Sequence, residues 1–283
     1  MRLYDAHNHL QDERFGGCQA ELVVACRAEG IVGMVVNGAC EADWPEVAAL
    51  AARFPDLVRS SFGYHPWYVA EQTPGWQDTL VRFLDQHPGA GVGEIGLDRW
   101  KSGLDLVAQE EVFVWQLRLA AERNLPASIH CLQAWGRLFD LLRAGPRPAR
   151  GFLLHSYGGP EEMVAPLAKL GAYFSLPGYC AHERKHRQRA AFKAVPRERL
   201  LIETDAPDQC LPVAGAEPGT GTTPSGGAER YTLCDPASGK PVNHPANLAA
   251  VYEFAAGLVG ETVGALAEQV EVNFRRLFGG GTV

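Results

Sequence analysis

The sequence predicts an α/β fold, a single-domain (β/α)8 TIM barrel spanning residues 1–283. Short apolar runs alternate with amphipathic stretches eight times from end to end. No composition break divides the 283 residues, a length one barrel fills. The rival, an open doubly wound sheet, would be favoured by a glycine-rich phosphate loop after the first strand, and none is there.

In order, "RLYDAH" reads as a strand and "QAELVVACRAEG" as a helix closed by Gly30. "IVGMVVNG" is a buried strand followed by the helical "ADWPEVAALAARF". "DLVRSSFGYHP" and "GWQDTLVRFLDQH" form the third pair. "AGVGEIGLD" is the fourth strand, and "DLVAQEEVFVWQLRLAAERN" the longest helix, ended by Asn124 and Pro126. "PASIH" with "QAWGRLFDLLRAG", and "RGFLLH" with "PEEMVAPLAKLG", continue the alternation. "AYFSL" precedes the basic helical "HERKHRQRAAFKAV", and "RLLIETDAP" is the eighth strand. Two helices, "PANLAAVYEFAAGLVG" and "ETVGALAEQVEVNFRRLFGG", finish the chain. Residues 208–244 are rich in Gly and Pro and too long for a plain connection, so a rim loop after the eighth strand is expected there.

Bulk properties narrow the function. A formal net charge of -7 argues against a protein that coats duplex DNA through a basic surface. It leaves open an enzyme that takes one strand end into a pocket whose metal ions supply the positive charge. The seven cysteines contain no CxxC pair, which argues against a disulfide framework and a thiolate zinc site. No apolar run is long enough to cross a bilayer and no export signal is legible, so a cytoplasmic protein without a membrane partner is expected.

The strand ends carry the chemistry. The first offers His7 and His9, the third His65, the fourth Glu94, the fifth His130, the sixth His155 and the eighth Asp205. In an extended chain residues i and i+2 point the same way, so His7 and His9 converge. In a barrel all these ends ring one opening, the catalytic face. One such histidine is ordinarily a satisfied loop residue; this many ionisable groups closing apolar strands would all suffer desolvation without a cation between them. His87, His182 and His186 close no strand and read as exposed helix residues.

With "DAHNHL", "GYHPW", "GEIGLD", "LLHSYGG", "LLIETDAP", "NHPANL" and "VNFRRLFG" in this order, the chain resembles the TatD family of metal-dependent hydrolases, often described as deoxyribonucleases of the amidohydrolase-like barrels. The resemblance implies one ion held by His7, His9, Glu94 and Asp205. It implies a second held by Glu94, His130 and His155, with Glu94 bridging and His65 beside the substrate. Two divalent ions, Zn, Mn or Mg, are thus expected, the histidine-rich set leaning toward Zn or Mn. The chain departs from the family pattern at "HCLQAW", with Leu132 and Gln133 where an Arg and an acid are usual, at "HNHLQD", which moves the acid to Asp12, and at Tyr157, where a phenylalanine is usual.

The expected activity is hydrolysis of a phosphodiester as a 3'-5' exodeoxyribonuclease on a single-stranded DNA end. Asp205, Glu94 and His65 are the expected catalytic residues, with His65, Tyr157 and Arg99 touching substrate. Tyr64, Trp67, Tyr68 and Trp100 are further stacking candidates, and Lys101 a further phosphate contact. The alternative is an amidohydrolase-like enzyme for a small ester, lactone or amide. A monomer or small homo-oligomer fits either.

Overall fold

The computed structural model describes residues 1–213 and 228–279. Eight parallel strands, β1 Leu3–Asn8, β2 Ile31–Asn37, β3 Val58–Phe62, β4 Gly91–Asp98, β5 Ala127–Leu132, β6 Phe152–Leu154, β7 Ala172–Pro177 and β8 Leu200–Glu203, lie side by side in chain order. Beyond the last ladder, Asp205 N–H donates to His7 O at 3.0 Å and His9 N–H to Ala206 O at 2.8 Å, which ties β1 to the turn after β8. The sheet is thereby a nearly closed barrel. Strands buried on both sides need near-continuous apolar sequence, as "IVGMVV" supplies. Gly96 shows how closely β4 and β5 approach: a Cβ there would lie 2.0 Å from the His130 carbonyl oxygen.

The helices α1 Gln19–Ala28, α2 Trp44–Arg53, α3 Trp76–Gln86, α4 Leu106–Arg123, α5 Trp135–Ala144, α6 Val164–Lys169 and α7 His186–Ala194 fill the crossovers. The chain closes with α8 Leu248–Val259 and α9 Val263–Phe278. Local chemistry sets their ends. Asp105 accepts the N–H groups of Val107 and Ala108 to start α4, and Asn124 in the left-handed region (φ 50°) stops it. Thr262 caps α9 by accepting from Ala265 N–H, and Gly260 (φ 73°) ends α8. Fully buried Trp44 donates from Nε1 to Gly63 O, and its ring meets Tyr64 and Phe83 edge-on. No single helix among the described residues is long and apolar enough to cross a membrane; α8 and its preceding turn satisfy the length and apolarity only jointly with α9, across a bend of 104°.

The long segment after β8 is anchored at both ends. Arg14 holds both Asp208 oxygens, at 2.8 and 2.9 Å, and Asp12 with the same guanidinium. Its later part forms an antiparallel pair, β9 Thr232–Cys234 and β10 Pro241–Asn243. Tyr231 and Arg230 at the base of that pair reach Glu29, at the end of α1, and Arg230 also reaches Glu253 in α8. The Gly/Pro-rich middle of the expected rim loop, 214–227, lies outside the described residues.

Candidate metal centre

The barrel brings His7, His9, His65, Glu94, His130, His155 and Asp205 into one cluster. Three of them stand inside their strands rather than at the ends: His7 in β1, Glu94 in β4 and His130 in β5. Glu94 is 2 % exposed, so the cluster sits well down the barrel mouth.

The Glu94 carboxylate divides the histidines between its two oxygens. Oε2 lies 3.3 Å from His7 Nε2 and 3.1 Å from His9 Nε2. Oε1 lies 3.1 Å from His130 Nδ1, 2.8 Å from His155 Nε2 and 3.3 Å from His65 Nε2. Within each group the nitrogens also face one another: His7 and His9 at 3.3 Å, His130 and His155 at 3.3 Å. Asp205 Oδ1 joins only the first group, 3.6 Å from His7 and 3.7 Å from His9. Donors set tetrahedrally around an ion at about 2.0–2.1 Å stand roughly 3.3 Å apart, so these spacings fit divalent metal coordination.

Partners behind the cluster orient the rings. His9 Nδ1 donates to Asn37 O at 2.8 Å, and His130 Nε2 donates to Asp98 Oδ2 at 3.0 Å, which aims the opposite nitrogens inward. His7 Nδ1 meets Ser128 Oγ at 2.8 Å. His65 is built the other way round. Its Nδ1 accepts the Trp67 N–H at 3.2 Å, so the neutral ring carries its proton on Nε2 and presents a donor. That sets His65 apart from the lone-pair donors, although it, Glu94 and His130 lie close enough to share an ion. His7, His155 and Glu203 are also close enough. Glu203, however, already accepts from Ser156 N–H and Oγ–H through one oxygen and from Ser175 through the other.

Charge in the cluster follows from burial opposed by opposite charge. Burial alone would raise the Glu94 carboxyl, but the imidazoles, His155 and His65 first, hold it well below the usual range. Burial opposes a charge on His9, yet its hydrogen bond and attraction to Glu94 raise it to about 10. His130 rises to about 9 against burial, through Asp98 and then Glu94. Burial drives His7 well below its ordinary value, with His155 adding to the effect, and drives His65 to about 4. Burial pushes Asp205 up to about 6 against the pull of His155 and His9.

Other expected residues fall elsewhere. Tyr157 is fully buried, its hydroxyl bonded to Pro160 O and its ring edge-on to Trp135, Phe174 and Phe192, so it is a core residue and not a substrate contact. Tyr64 is likewise buried, its hydroxyl on Glu41. Arg99 is exposed on the loop after β4, its backbone N–H on Leu132 O. Asp12 points away to Arg14. His182 is half-buried in a turn before α7, Nε2 3.1 Å from Cys210 O, rather than exposed on a helix. Sequence reasoning gave no role to Asp98, Ser128, Asn37 or Glu203. It also left unused Asp5, which accepts from Thr204 N–H and Oγ1 and from Asn8 Nδ2 and so fixes β1 against the turn holding Asp205. A signal existed for Asp5 and Ser128, each two residues before a ligand candidate, His7 or His130, on the same strand face.

Comparison with known proteins agrees with this architecture. A family described as TatD related DNase matches residues 4–279. The 3'-5' ssDNA/RNA exonuclease TatD of Erwinia tasmaniensis is 28% identical over 277 residues, covering 98% of this chain and 99% of that protein. The protein of the same name from Edwardsiella piscicida is 31% identical over 206 residues, 72% of this chain and 79% of its own. The solved structure of the TatD homolog YJJV from Escherichia coli k12 shares the fold, with a TM-score of 0.82 and 23% identity over 99% of both chains. The chain belongs to the TatD related DNase family.

Proposed function

We propose that this chain is a two-metal phosphodiesterase that removes nucleotides from the 3' end of single-stranded nucleic acid, in the cytoplasm and without a membrane partner. The observation that carries the reading is the split of Glu94, one oxygen to His7 and His9, the other to His130 and His155. That division would suit a carboxylate shared by two cations, the first held by His7, His9 and Asp205 and the second by His130 and His155. The names of the full-length relatives point to the same substrate class.

Bound divalent ions would polarise the phosphoryl oxygens and acidify a water at neutral pH. Asp205 takes the proton of the attacking water as the P–O bond to the leaving strand breaks, and the strand's 3' oxygen takes a proton from solvent. His65 donates its Nε2–H to an oxygen of the phosphoryl group. The arrangement fits first-row ions rather than Mg, since each group contains two imidazoles.

The test is a 5'-labelled single strand incubated with the purified protein and Mn, Zn or Mg in turn. Stepwise shortening with release of mononucleotides supports the reading. Intact strands alongside hydrolysis of a lactone or p-nitrophenyl ester would replace it with the small-ester reading, which the apolar Leu132 after His130 and the net charge of -7 favour.

A further inference from the structure

Asp98 joins the metal centre to the rim. Its Oδ2 accepts from His130 Nε2 at 3.0 Å and from the Trp67 indole Nε1–H at 2.7 Å. Its Oδ1 accepts the backbone N–H of Trp100 at 2.7 Å and of Lys101 at 3.0 Å. Asp98 is 1 % exposed, and Gln109 holds its backbone N–H and C=O. The half-buried Trp67 ring is therefore held at a fixed place, its centre 5.1 Å from that of His65 and 6.4 Å from that of His130. Lys101 Nζ lies 4.5 Å from the centre of the Trp67 ring, and Trp100 beside it is 62 % exposed.

Resting on the exonuclease reading above, we propose that Trp67 and Lys101 form a nucleotide subsite. The base beside the scissile phosphate stacks on the Trp67 indole, and Lys101 leaves the ring for a strand phosphate. The chemistry supports each half. An indole tethered by its N–H keeps its faces in place, so little freedom is lost when a base stacks on it. Stacking tolerates any base, as an exonuclease requires. The Lys101 ammonium lies over the ring's π face, a weaker partner than a phosphate oxygen. The Asp98 oxygen that holds the Trp67 indole also holds the His130 ring, so a base on the indole sits in register with the metal ligands.

A cycle of variant and substrate tests this. With ordinary single strands, Trp67→Ala raises KM about tenfold or more. Of the two 3'-terminal positions, an abasic residue at the one whose base stacks raises KM by a similar factor in the natural protein. In Trp67→Ala the abasic change adds nothing further, because the interaction is already gone. Trp67→Phe, which keeps a π face without the N–H, restores the discrimination between normal and abasic strands. Lys101→Met reduces the slope of log(1/KM) against log salt by about 0.7, the value for one lost phosphate contact on a single strand. Independent, multiplying effects of Trp67→Ala and the abasic residue would overturn the subsite while leaving the exonuclease reading standing. Absence of strand hydrolysis by the natural protein would overturn both.

Discussion

Asp98 and His130 meet at 3.0 Å through Oδ2 and Nε2, so a carboxylate on β4 aims an imidazole on β5 whose other nitrogen faces Glu94. A supporting acid of this kind makes the ring a better donor and fixes its tautomer. Asp98→Ala should weaken divalent metal binding by about 10- to 100-fold. Titration calorimetry on chelator-stripped protein measures it, and unchanged affinity would remove the supporting role.

His65 shares Oε1 of Glu94 with two ligand candidates, yet its Nδ1 is engaged by Trp67 N–H. If its Nε2–H serves the substrate, His65→Ala retains its metal and loses about 10²–10³ in kcat. Elemental analysis beside kinetics separates the outcomes. A variant that loses an ion would make His65 a ligand.

Glu94 beside His9, and Asp98 with Glu94 beside His130, favour the protonated rings, raising them to about 10 and about 9. A ligating imidazole must give up the proton on its donor nitrogen, so each ion displaces one. At pH 7.5, below both values, metal binding should release about two protons, and affinity should climb with pH until the rings lose their protons unaided. Calorimetry in buffers of different ionisation enthalpy reads the number. Zero release at pH 7.5 would contradict the charge assignment.

Asp205 stands in the left-handed region at φ 52°, a conformation Asp adopts more readily than most residues. That turn aims its carboxylate toward His7 and His9. If Asp205 is the proposed base, Asp205→Asn should lower turnover by about 10²–10⁴. The loss should persist at saturating Mn, with metal content measured on the same sample. Recovery at high Mn would reduce Asp205 to a ligand.

His244 lies outside the cluster, stacked on Tyr231 with ring centres 4.8 Å apart, and its Nδ1 accepts the Ala246 N–H. Burial lowers it to about 4. A depressed histidine contributes stability that is present above its unfolded value of about 6.5 and lost as pH falls toward 4. His244→Asn keeps a cap acceptor without the titration. Between pH 6.5 and 4 the variant should gain on the natural protein by up to about 3 kcal/mol, less where the ring edge stays wetted. Parallel denaturant curves at the two pH values measure the difference; an equal gap at both would contradict it.

How legible the site was depended on the range of the interaction. His7 and His9 share a face because strand geometry alternates every residue, and that is visible in seven letters. The Asp98–His130 and Glu203–Ser156 contacts join residues 32 and 47 positions apart, and no local pattern announces them. Tyr157 shows the same limit. Ser156 adopts φ 45° after β6, and Tyr157 beyond it packs among Trp135, Phe174 and Phe192 instead of lining the mouth.

The sequence by itself determined the barrel, through eight alternations of apolar and amphipathic segments, and the family, through ordered motifs at strand ends. Local periodicity and capping are properties of neighbouring residues, so they survive in one dimension. Only the tertiary structure decided which oxygen of Glu94 faces which histidines, which histidine presents a proton instead of a lone pair, and which aromatic ring remains at the rim. Those depend on distances of about 3 Å between strands far apart in the chain, which exist only once the barrel has closed.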